Sequence, residues 1–174
     1  MEKDKFLNPD YKPDENTRNE IENLHKEDIS LSGVQLQFAD MKNANLTNAD
    51  LSNSDLTRAD FSGSSMYGVN LAGANLFKTN FEGANLKAAN MKNCNMLAAD
   101  FSNTKLNNVD WDEDYKVINE REAEEALSSG DVDTAKEKYR ESEDIYRALK
   151  ITLQKQSLGA VSYTHLTLPT ILLV

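Results

Sequence analysis

Apolar residues return at every fifth position through the middle of the chain, as the stretch "LAGANLFKTNFEGANLKAAN" at residues 71–90 illustrates. Its apolar anchors are Leu71, Leu76, Phe81 and Leu86. A step of five suits neither an α-helix, which turns once in about 3.6 residues, nor a strand, whose side chains alternate between two faces. The backbone is therefore predicted to bend once in each five-residue repeat.

The residue types around each anchor predict where the chain bends. A small residue stands two positions before most anchors and is expected to point inward with them, because residues two apart in an extended segment share a face. Asn or Gly stands two positions after many anchors, where the positive φ of a corner is tolerated most easily. These predicted corner residues are Asn43, Asn48, Asn53, Gly63, Gly68, Gly73, Gly83, Asn93, Asn103 and Asn108. The Asp or Asn before most anchors is expected to stay in contact with solvent.

The pattern keeps its register from residue 29 to residue 111 without an insertion. Within it, the anchors Phe61, Phe81 and Phe101 are twenty residues apart, which predicts a stacked phenylalanine ladder in a four-sided coil. Coils stacked about 4.8 Å apart then give about four turns and a rod roughly 20 Å long. Trp111 takes the last anchor position, and we expect its ring to plug this core ladder.

The strings "ANLTNADLSNSDLTRAD" and "ANLKAANMKN" resemble the A(D/N)LxX motif of the pentapeptide-repeat family. The resemblance covers nearly half of the chain and implies that family's right-handed quadrilateral β-helix. The predicted fold class is therefore an all-β solenoid of about four coils, flanked by a short N-terminal helix and a C-terminal α-helical hairpin. The β-helix itself is assigned to residues 29–111.

A short helix is predicted upstream of the solenoid, within residues 1–28. A solenoid exposes unpaired edges at its ends, and these edges need a cover. The string "TRNE" is interpreted as a capping box that opens the helix at Thr17. Its apolar side chains Ile21 and Leu24 are then expected to face the first coil.

Residues 112–160 are predicted to form a helical hairpin. Its first helix is expected over residues 113–128, after which Gly130 and Asp131 supply a stop and a new N-cap. The second helix carries an apolar seam that continues to Leu153 at alternating steps of three and four residues. This seam packs either within the hairpin or against a helix of another molecule. The segment that begins at Gly130 also resembles a tetratricopeptide-like helix pair.

The end of the chain differs in composition from the rest. No charged side chain follows Lys155, and "VSYTHLTLPT" at residues 161–170 resembles the conceptual translation of a transposon-type sequencing adapter. Residues 161–174 are therefore expected to be an artefact, and the natural chain is expected to be longer than this truncated fragment. The alternative is a genuine hydrophobic strand or membrane stub, although Pro169 interrupts it.

Composition argues against catalytic chemistry. The chain has 174 residues, one Cys and a formal charge of -10, which suits an intracellular domain without disulfides, and we expect it to be cytoplasmic. The sequence contains no nucleophile with a base, no phosphate loop and no metal-ligand cluster. Cys94 is expected to be a buried structural thiol and His25 a solvated helix residue. We therefore expect no enzyme activity, no catalytic or metal-binding residue and no cofactor.

Four apolar residues are predicted to lie outside the core. Phe77 and Leu97 share the position just after an anchor and are twenty residues apart, so they should stack on one outer face. Phe38 and Tyr67 are expected on other turns. These four residues form the candidate interaction surface, which either docks a protein partner or is covered by the chain's own C-terminal helices.

The leading functional hypothesis is a non-catalytic protein-interaction scaffold, because stacked repeats make extended binding surfaces. One alternative is the cytosolic sensor or assembly domain of a longer, channel-type membrane protein. The string "EDIYRALKITLQKQ" resembles the region that precedes ion-channel-type segments in some pentapeptide-repeat proteins. A homodimer is left open, and neither a nucleic acid partner nor membrane contact is expected.

A second alternative, implied by the family resemblance, is a DNA mimic that binds a topoisomerase. Mimicry requires a dense acidic stripe along the rod. Residues 31–111 carry a net charge of only -1, whereas residues 1–30 carry -4 and residues 112–174 carry -5. This distribution favours the scaffold hypothesis over mimicry.

Overall fold

The computed structural model describes residues 3–111 and 116–155, which form a solenoid with helical segments at both ends. The helical segments are a 3₁₀ helix at Lys3–Leu7, α1 at Thr17–Lys26, α2 at Ile118–Ser128 and α3 at Val132–Lys155. The solenoid lies between α1 and α2 in the chain.

Isolated parallel bridges join successive coils of the solenoid. They link residues twenty apart, from Gln35 with Asp55 to Asn90 with Asp110. Backbone hydrogen bonds accompany them, and the Leu36 N–H donates to the Asp55 carbonyl oxygen at 2.8 Å. Within the described residues the coils pair through such single bridges, and no continuous strand forms, because a corner interrupts every five-residue repeat. The fold is therefore a β-solenoid in which residues twenty apart are stacked.

A residue with positive φ turns the chain at each corner. All ten predicted Asn and Gly corner residues have φ values between 55° and 70°. The same conformation occurs at five corner residues whose side chains do not favour it, Phe38, Arg58, Lys78, Ala88 and Ala98. A left-handed conformation costs such a residue about 1–2 kcal/mol. Hydrogen bonding between coils must therefore impose it, as where the Arg58 N–H donates to the Phe77 carbonyl oxygen at 2.9 Å.

The phenylalanine side chains stack along the core. Phe61 and Phe81 are fully buried, and Phe101 is nearly so. The ring centroids of Phe61 and Phe81 are 5.7 Å apart with an interplanar angle of 16°. The corresponding values for Phe81 and Phe101 are 5.6 Å and 9°. The rings therefore form a continuous ladder across three coils.

Trp111 lies outside this ladder. Twenty-residue stacking puts Trp111 below Met91, in a column of anchors half a coil away from Phe101. Its side chain is only half-buried and packs against the edge of the core. The expectation that Trp111 plugs the phenylalanine ladder is therefore wrong, because ten residues separate it from Phe101 and twenty would be needed.

Small polar side chains at inward positions bind the coil before them. Each donates to the carbonyl oxygen of an anchor 23 residues earlier, and these donors are Ser54, Ser64, Thr79, Cys94 and Thr104. The Thr104 Oγ1 and the Phe81 carbonyl oxygen, for example, are 2.7 Å apart. A buried polar group is tolerated when it finds such a partner. The inward position therefore accepts Ser, Thr and Cys beside Ala.

The N-terminal segment closes the first coil. Ile21 and Leu24 of α1 are fully buried, and Phe6 of the 3₁₀ helix is fully buried as well. The Gln35 N–H donates to the Phe6 carbonyl oxygen at 2.6 Å. Phe6 thus provides the acceptor that a preceding coil would provide, a role that the sequence pattern did not indicate.

The predicted capping box at Thr17 is wrong. Helix α1 begins at Thr17 with Asn16 as its N-cap, and the cap makes no side-chain hydrogen bond. The buried Thr17 hydroxyl instead lies 2.7 Å from the Tyr11 hydroxyl and accepts a hydrogen bond from the Asp14 N–H at 2.8 Å. Contacts with the preceding loop therefore override the local motif.

Helix α3 closes the last coil. Its buried residues that join the core of the solenoid are Ile145, Tyr146, Leu149 and Leu153. The Thr152 Oγ1 donates to the Phe101 carbonyl oxygen at 3.1 Å. This bond resembles those that the inward Ser and Thr residues make to the coil before them. The seam of α3 is therefore packed within the molecule, against α2 and the solenoid.

Helix α2 begins later than the sequence predicts. Residues 112–115 lie outside the described part, and the described residues Lys116 and Val117 are not helical. Val117 is extended, with φ -72° and ψ 155°, and its N–H donates to the Tyr146 hydroxyl at 3.2 Å. Val117 is therefore the N-cap of α2, and its carbonyl oxygen accepts the Glu120 N–H at 3.1 Å.

The connection between α2 and α3 has the predicted features. Gly130 has a φ of 84°, which ends α2. The Thr134 N–H donates to Asp131 Oδ1 at 3.1 Å, so Asp131 is the N-cap of α3. Local sequence therefore specifies this turn.

Residues 156–174, which include the suspected adapter sequence at residues 161–174, lie outside the described part of the chain. The domain limits predicted at residues 28, 111 and 160 stay predictions. Among the helices within residues 3–111 and 116–155, none has the length and hydropathy required to cross a membrane.

Replacing Phe81 by Ala should lower the free energy of unfolding by about 3–5 kcal/mol, because it removes the middle ring of the ladder and leaves a cavity. Glu82 is exposed and serves as the matched control, since Glu82→Ala should have little effect. Urea unfolding followed by circular dichroism measures both changes. Equal destabilisation by the two substitutions would contradict the register described here.

Candidate protein-binding face

One side of the solenoid brings apolar and cationic side chains together. Its coils are aligned by bridges from Gln35 to Asp55, from Asp55 to Asn75 and from Asn75 to Asn95. Stacking at twenty residues then determines which other residues share this side. We call it the aromatic-cationic face, and it comprises residues 35–38, 55–58, 75–78 and 95–98.

Phe38 and Arg58 stand at successive corners of this face. The Phe38 N–H donates to the Thr57 carbonyl oxygen at 3.0 Å, which fixes its corner beside that of Arg58. The Phe38 side chain is 66% exposed. The Arg58 guanidinium carbon lies 5.5 Å from the Phe38 ring centroid, within the usual range of about 6 Å for a cation–π contact. A cation and an aromatic ring are therefore presented to solvent as a pair.

Phe77 and Leu97 lie on adjacent coils of the same face. Both are half-buried, and Leu97 packs against the core. The Lys78 Nζ lies 5.0 Å from the Phe77 ring centroid. Within the described residues, no hydrogen bond or ion pair joins α2 or α3 to this face, and the helices instead bond Asn93 and Phe101. Phe77 and Leu97 are therefore less exposed than predicted, and the hydrogen bonds from the two helices reach residues outside this face.

Phe38 stands on another turn than Phe77 and Leu97, and its corner lies on the same side of the solenoid as theirs. Its corner is twenty residues from Arg58 and forty from Lys78. Applying the twenty-residue period to corner residues, as it was applied to the phenylalanine anchors, would have found this grouping.

Tyr67 lies on a different side of the solenoid. Its side is defined by the bridge from Ser65 to Asn85, half a coil away from residues 75–78. The Tyr67 side chain is 48% exposed. Of the four residues in the predicted interaction surface, the structure thus groups three and separates Tyr67.

The aromatic-cationic face carries a net charge of +1, from Asp55, Arg58 and Lys78. The Asp55 carboxylate accepts hydrogen bonds from the Thr57 N–H and from Gln37 Nε2, each at 3.0 Å. Neither Arg58 nor Lys78 forms an ion pair with another of the described residues. Both cations are therefore available to an anionic group outside the molecule.

The neighbouring side of the solenoid is acidic and comprises residues 40–43, 60–63, 80–83 and 100–103. It carries one cation, Lys42, and four carboxylates, Asp40, Asp60, Glu82 and Asp100, for a net charge of -3. Burial raises the pKa of Asp60, but hydrogen bonds from Ser62 and the charge of Lys42 lower it by more, so its pKa is below the usual 3.8. The solenoid thus has a net charge close to zero, although its sides differ in charge.

His25 joins α1 to the solenoid. Its Nε2 lies 2.9 Å from the Thr47 carbonyl oxygen, and the side chain is half-buried. The expectation of a solvated helix residue is therefore wrong, because α1 contacts the first coils through Arg18, Glu22 and His25. In the part of the chain that the structure describes, no group of His, Cys, Asp and Glu side chains is arranged to hold a metal ion.

Cys94 occupies an inward position in the solenoid. Its Sγ donates to the Leu71 carbonyl oxygen at 2.9 Å. Burial raises the pKa of the thiol from its ordinary 9.0 to about 12. The thiolate, which is the reactive form, is therefore scarce in the folded protein at neutral pH. Beside Met91 and Trp111, Cys94 also lines a small pocket at the junction with α2.

Comparison with known proteins identifies the repeats. The profile of the family described as Pentapeptide repeats matches residues 29–68 and 64–96, in 8 copies. No curated protein matches the chain. The family profile therefore covers most of the solenoid and neither of the helical ends.

Several solved structures are similar over part of the solenoid. A pentapeptide repeat protein from the thylakoid lumen of Arabidopsis thaliana is 21% identical, over 43% of this chain and 49% of that one, with a TM-score of 0.40. QnrB1, a plasmid-mediated fluoroquinolone resistance protein, is 20% identical, over 47% of this chain and 40% of that one, with a TM-score of 0.38. A pentapeptide repeat protein from Nostoc is 27% identical, over 52% and 73% of the two chains, with a TM-score of 0.27. The chain spans about half the length of the Arabidopsis protein.

Cys94 should resist thiol reagents in the folded protein and react rapidly after unfolding. Because its folded pKa exceeds the unfolded value, its contribution to stability is complete below pH 9 and declines as pH rises towards 12. Denaturant unfolding at a series of alkaline pH values measures this decline. Cys94→Ser should remove that part of the decline, since Ser occupies the equivalent inward position at Ser54 and Ser64. Fast modification of the native thiol near neutral pH would contradict the assignment.

Proposed function

The chain belongs to the pentapeptide-repeat family over residues 29–96, and we propose that its solenoid is a scaffold that binds a protein through the aromatic-cationic face. Proteins of this family are generally structural or interaction proteins and not enzymes. The observation that carries the proposal is the grouping of Phe38, Phe77 and Leu97 beside two cations that have no anionic partner among the described residues.

The chemistry of this face suits protein recognition. Binding energy at protein interfaces is concentrated in a few residues, among which aromatic side chains and Arg are enriched. Phe38 and Arg58 form such a pair, held by the backbone of their corners. Because the coil already fixes the backbone, no loop has to be ordered when a partner binds, which reduces the entropic cost of association.

The proposal includes the finer geometry of the solenoid, a right-handed quadrilateral β-helix of about four coils. Bridges between residues twenty apart support it, since four five-residue repeats complete such a coil. A four-sided coil has flat sides that each present a column of stacked side chains. We also propose a cytoplasmic location, which is supported by a composition with one Cys that is buried and unpaired.

The topoisomerase-binding alternative has one observation in its favour, the acidic side of the solenoid. The Lys42 Nζ lies 3.5 Å from the Asp60 carboxylate and reduces the negative charge of that side. The solenoid as a whole is nearly neutral. The purified chain is therefore not expected to inhibit supercoiling by DNA gyrase. Inhibition that disappears in the variant Glu82→Gln with Asp100→Asn would favour the alternative. Nothing in the described residues favours the membrane-protein alternative.

Changing Phe77 and Leu97 together to Ser should weaken capture of a partner by at least about tenfold, because both apolar contacts are lost. The tagged protein would be incubated with a lysate of its source cells, and retained proteins would be quantified by mass spectrometry. Tyr67→Ser, on the other side, is the matched control and should retain the same proteins as the unchanged chain. Circular dichroism should show both variants folded.

Two outcomes would contradict the proposal. Either the unchanged chain retains no protein above background, or the double variant and the control lose the same proteins to the same extent. In the second case the partner does not recognise the aromatic-cationic face.

A further inference from the structure

The turn between α2 and α3 exposes apolar side chains among acidic ones. Leu127 is 52% exposed and Val132 is 47% exposed. Residues 124–133, which we call the acidic tip, contain no basic residue. Their four acidic residues are Glu124, Glu125, Asp131 and Asp133, so the tip carries a charge of -4.

These carboxylates differ in how they are held. Glu124 forms an ion pair with Lys116. Asp131 accepts hydrogen bonds from the hydroxyl and the N–H of Thr134, which lower its pKa and keep it ionised. Glu125 and Asp133 are exposed and pair with no cation among the described residues. The tip therefore presents negative charge that the molecule does not neutralise.

The hairpin holds this tip in place. Below it, Ala123 of α2 and Ala135 of α3 are buried in the contact between the two helices. Lys138 bridges the helices, with its Nζ 3.0 Å from Glu122 and 3.0 Å from Glu141. The exposure of Leu127 and Val132 is therefore a property of the packed hairpin and does not require it to open.

The acidic tip and the aromatic-cationic face are complementary in both charge and hydrophobicity. We propose that the acidic tip of one molecule docks on the aromatic-cationic face of a second copy of this chain. Leu127 and Val132 would contact Phe38 and the exposed edge of Phe77, while the carboxylates meet the two cations. This inference rests on the proposed function, because it names the partner of the same face.

The rest of the molecule argues for this face as the docking site. The chain carries -10 overall, so most surfaces of a second copy repel an acidic tip. The side that contains Tyr67 is also basic, through Lys87 and Lys105. However, α1 occupies its first coil, where the Glu22 carboxylate accepts the Asn45 N–H at 2.6 Å. Tyr67 is the one aromatic residue of that side, whereas the aromatic-cationic face has Phe38 and the half-buried Phe77.

The two docking surfaces are different parts of the molecule, which determines the kind of assembly. Each copy has one tip and one face, so the contact is head-to-tail. Head-to-tail contacts either extend into open chains or close into a ring. The smallest such ring would be a dimer in which each tip docks on the face of the other copy. The tip comprises only residues 124–133, fewer than the roughly 20–30 residues that each partner contributes to a standard interface, so we expect weak association that decreases with salt.

Sedimentation velocity of the full chain tests the inference. The weight-average mass should rise with protein concentration up to about 1 mM, the range in which weak contacts are populated. It should fall towards the monomer in about 1 M salt, where the screening length is about 3 Å. A monomer at every concentration in low salt would overturn the inference.

Charge reversal identifies the surfaces involved. Reversing the face with Arg58→Glu and Lys78→Glu should weaken association at least about tenfold, and so should reversing the tip with Glu125→Lys and Asp133→Lys. Mixing the two variants should restore association, since each retains the surface that the other lacks. The control Lys87→Glu with Tyr67→Ser should associate like the unchanged chain. Circular dichroism and melting temperature confirm that each variant is folded.

Two results would refute the inference: a mixture that stays monomeric, or a control that weakens association as much as the face variant. The proposed function is tested separately. If the unchanged chain is monomeric but Phe77→Ser with Leu97→Ser still loses a captured protein, the self-association fails and the scaffold stands. If self-association depends on the face and no other protein is retained, the second copy is the partner.

Discussion

Hydrogen bonding between stacked coils is the interaction on which the rest of this structure depends. It holds Arg58, Lys78 and even Phe38 in a left-handed conformation that their side chains do not favour. Once every fifth residue turns the chain, residues twenty apart stack, and each side of the coil becomes a column of side chains. The phenylalanine ladder and the aromatic-cationic face are two consequences of that stacking, one inside the coil and one outside it.

At each end of the solenoid the terminal coil lacks a neighbouring coil, so its hydrogen-bonding groups need other partners. Phe6 supplies a carbonyl oxygen to Gln35 at one end, and Thr152 donates to the Phe101 carbonyl oxygen at the other. Both contacts reproduce bonds that an additional coil would make, and apolar residues of α1 and α3 cover the remaining core. Because the ends are closed in this way, the sides of the solenoid remain the surfaces on which a partner can bind.

Much of this fold could be predicted from the sequence because a five-residue period is a local and repeated signal. The corners at Asn43 or Gly63 and the stacking of Phe81 follow from composition and spacing alone. The predictions that failed depended on contacts that the local motif does not encode. The Thr17 hydroxyl bonds the preceding loop and not its own helix, and α2 begins only after Val117, whose N–H donates to a hydroxyl group on α3.

The candidate site was only partly predictable for a related reason. A residue's exposure can be inferred from its place in the repeat, which identified Phe77 and Leu97. Its neighbours on the surface depend on which coil position lies twenty residues away, and this spacing brings Arg58 beside Phe38. The separation of charge between sides follows from the same twenty-residue period, which the bridges then define in space.

The stacking of residues twenty apart is tested most directly by disulfide formation in a Cys94→Ser background. Residues 57 and 77 should lie about 4.8 Å apart at their Cα atoms, within the range of about 4.4–6.8 Å for a disulfide. The pair Thr57→Cys and Phe77→Cys should therefore cross-link on mild oxidation, as mass spectrometry of the unreduced protein would show. The pair Thr57→Cys and Tyr67→Cys, on different sides, should not. An intramolecular disulfide in the second pair, or none in the first, would contradict the account.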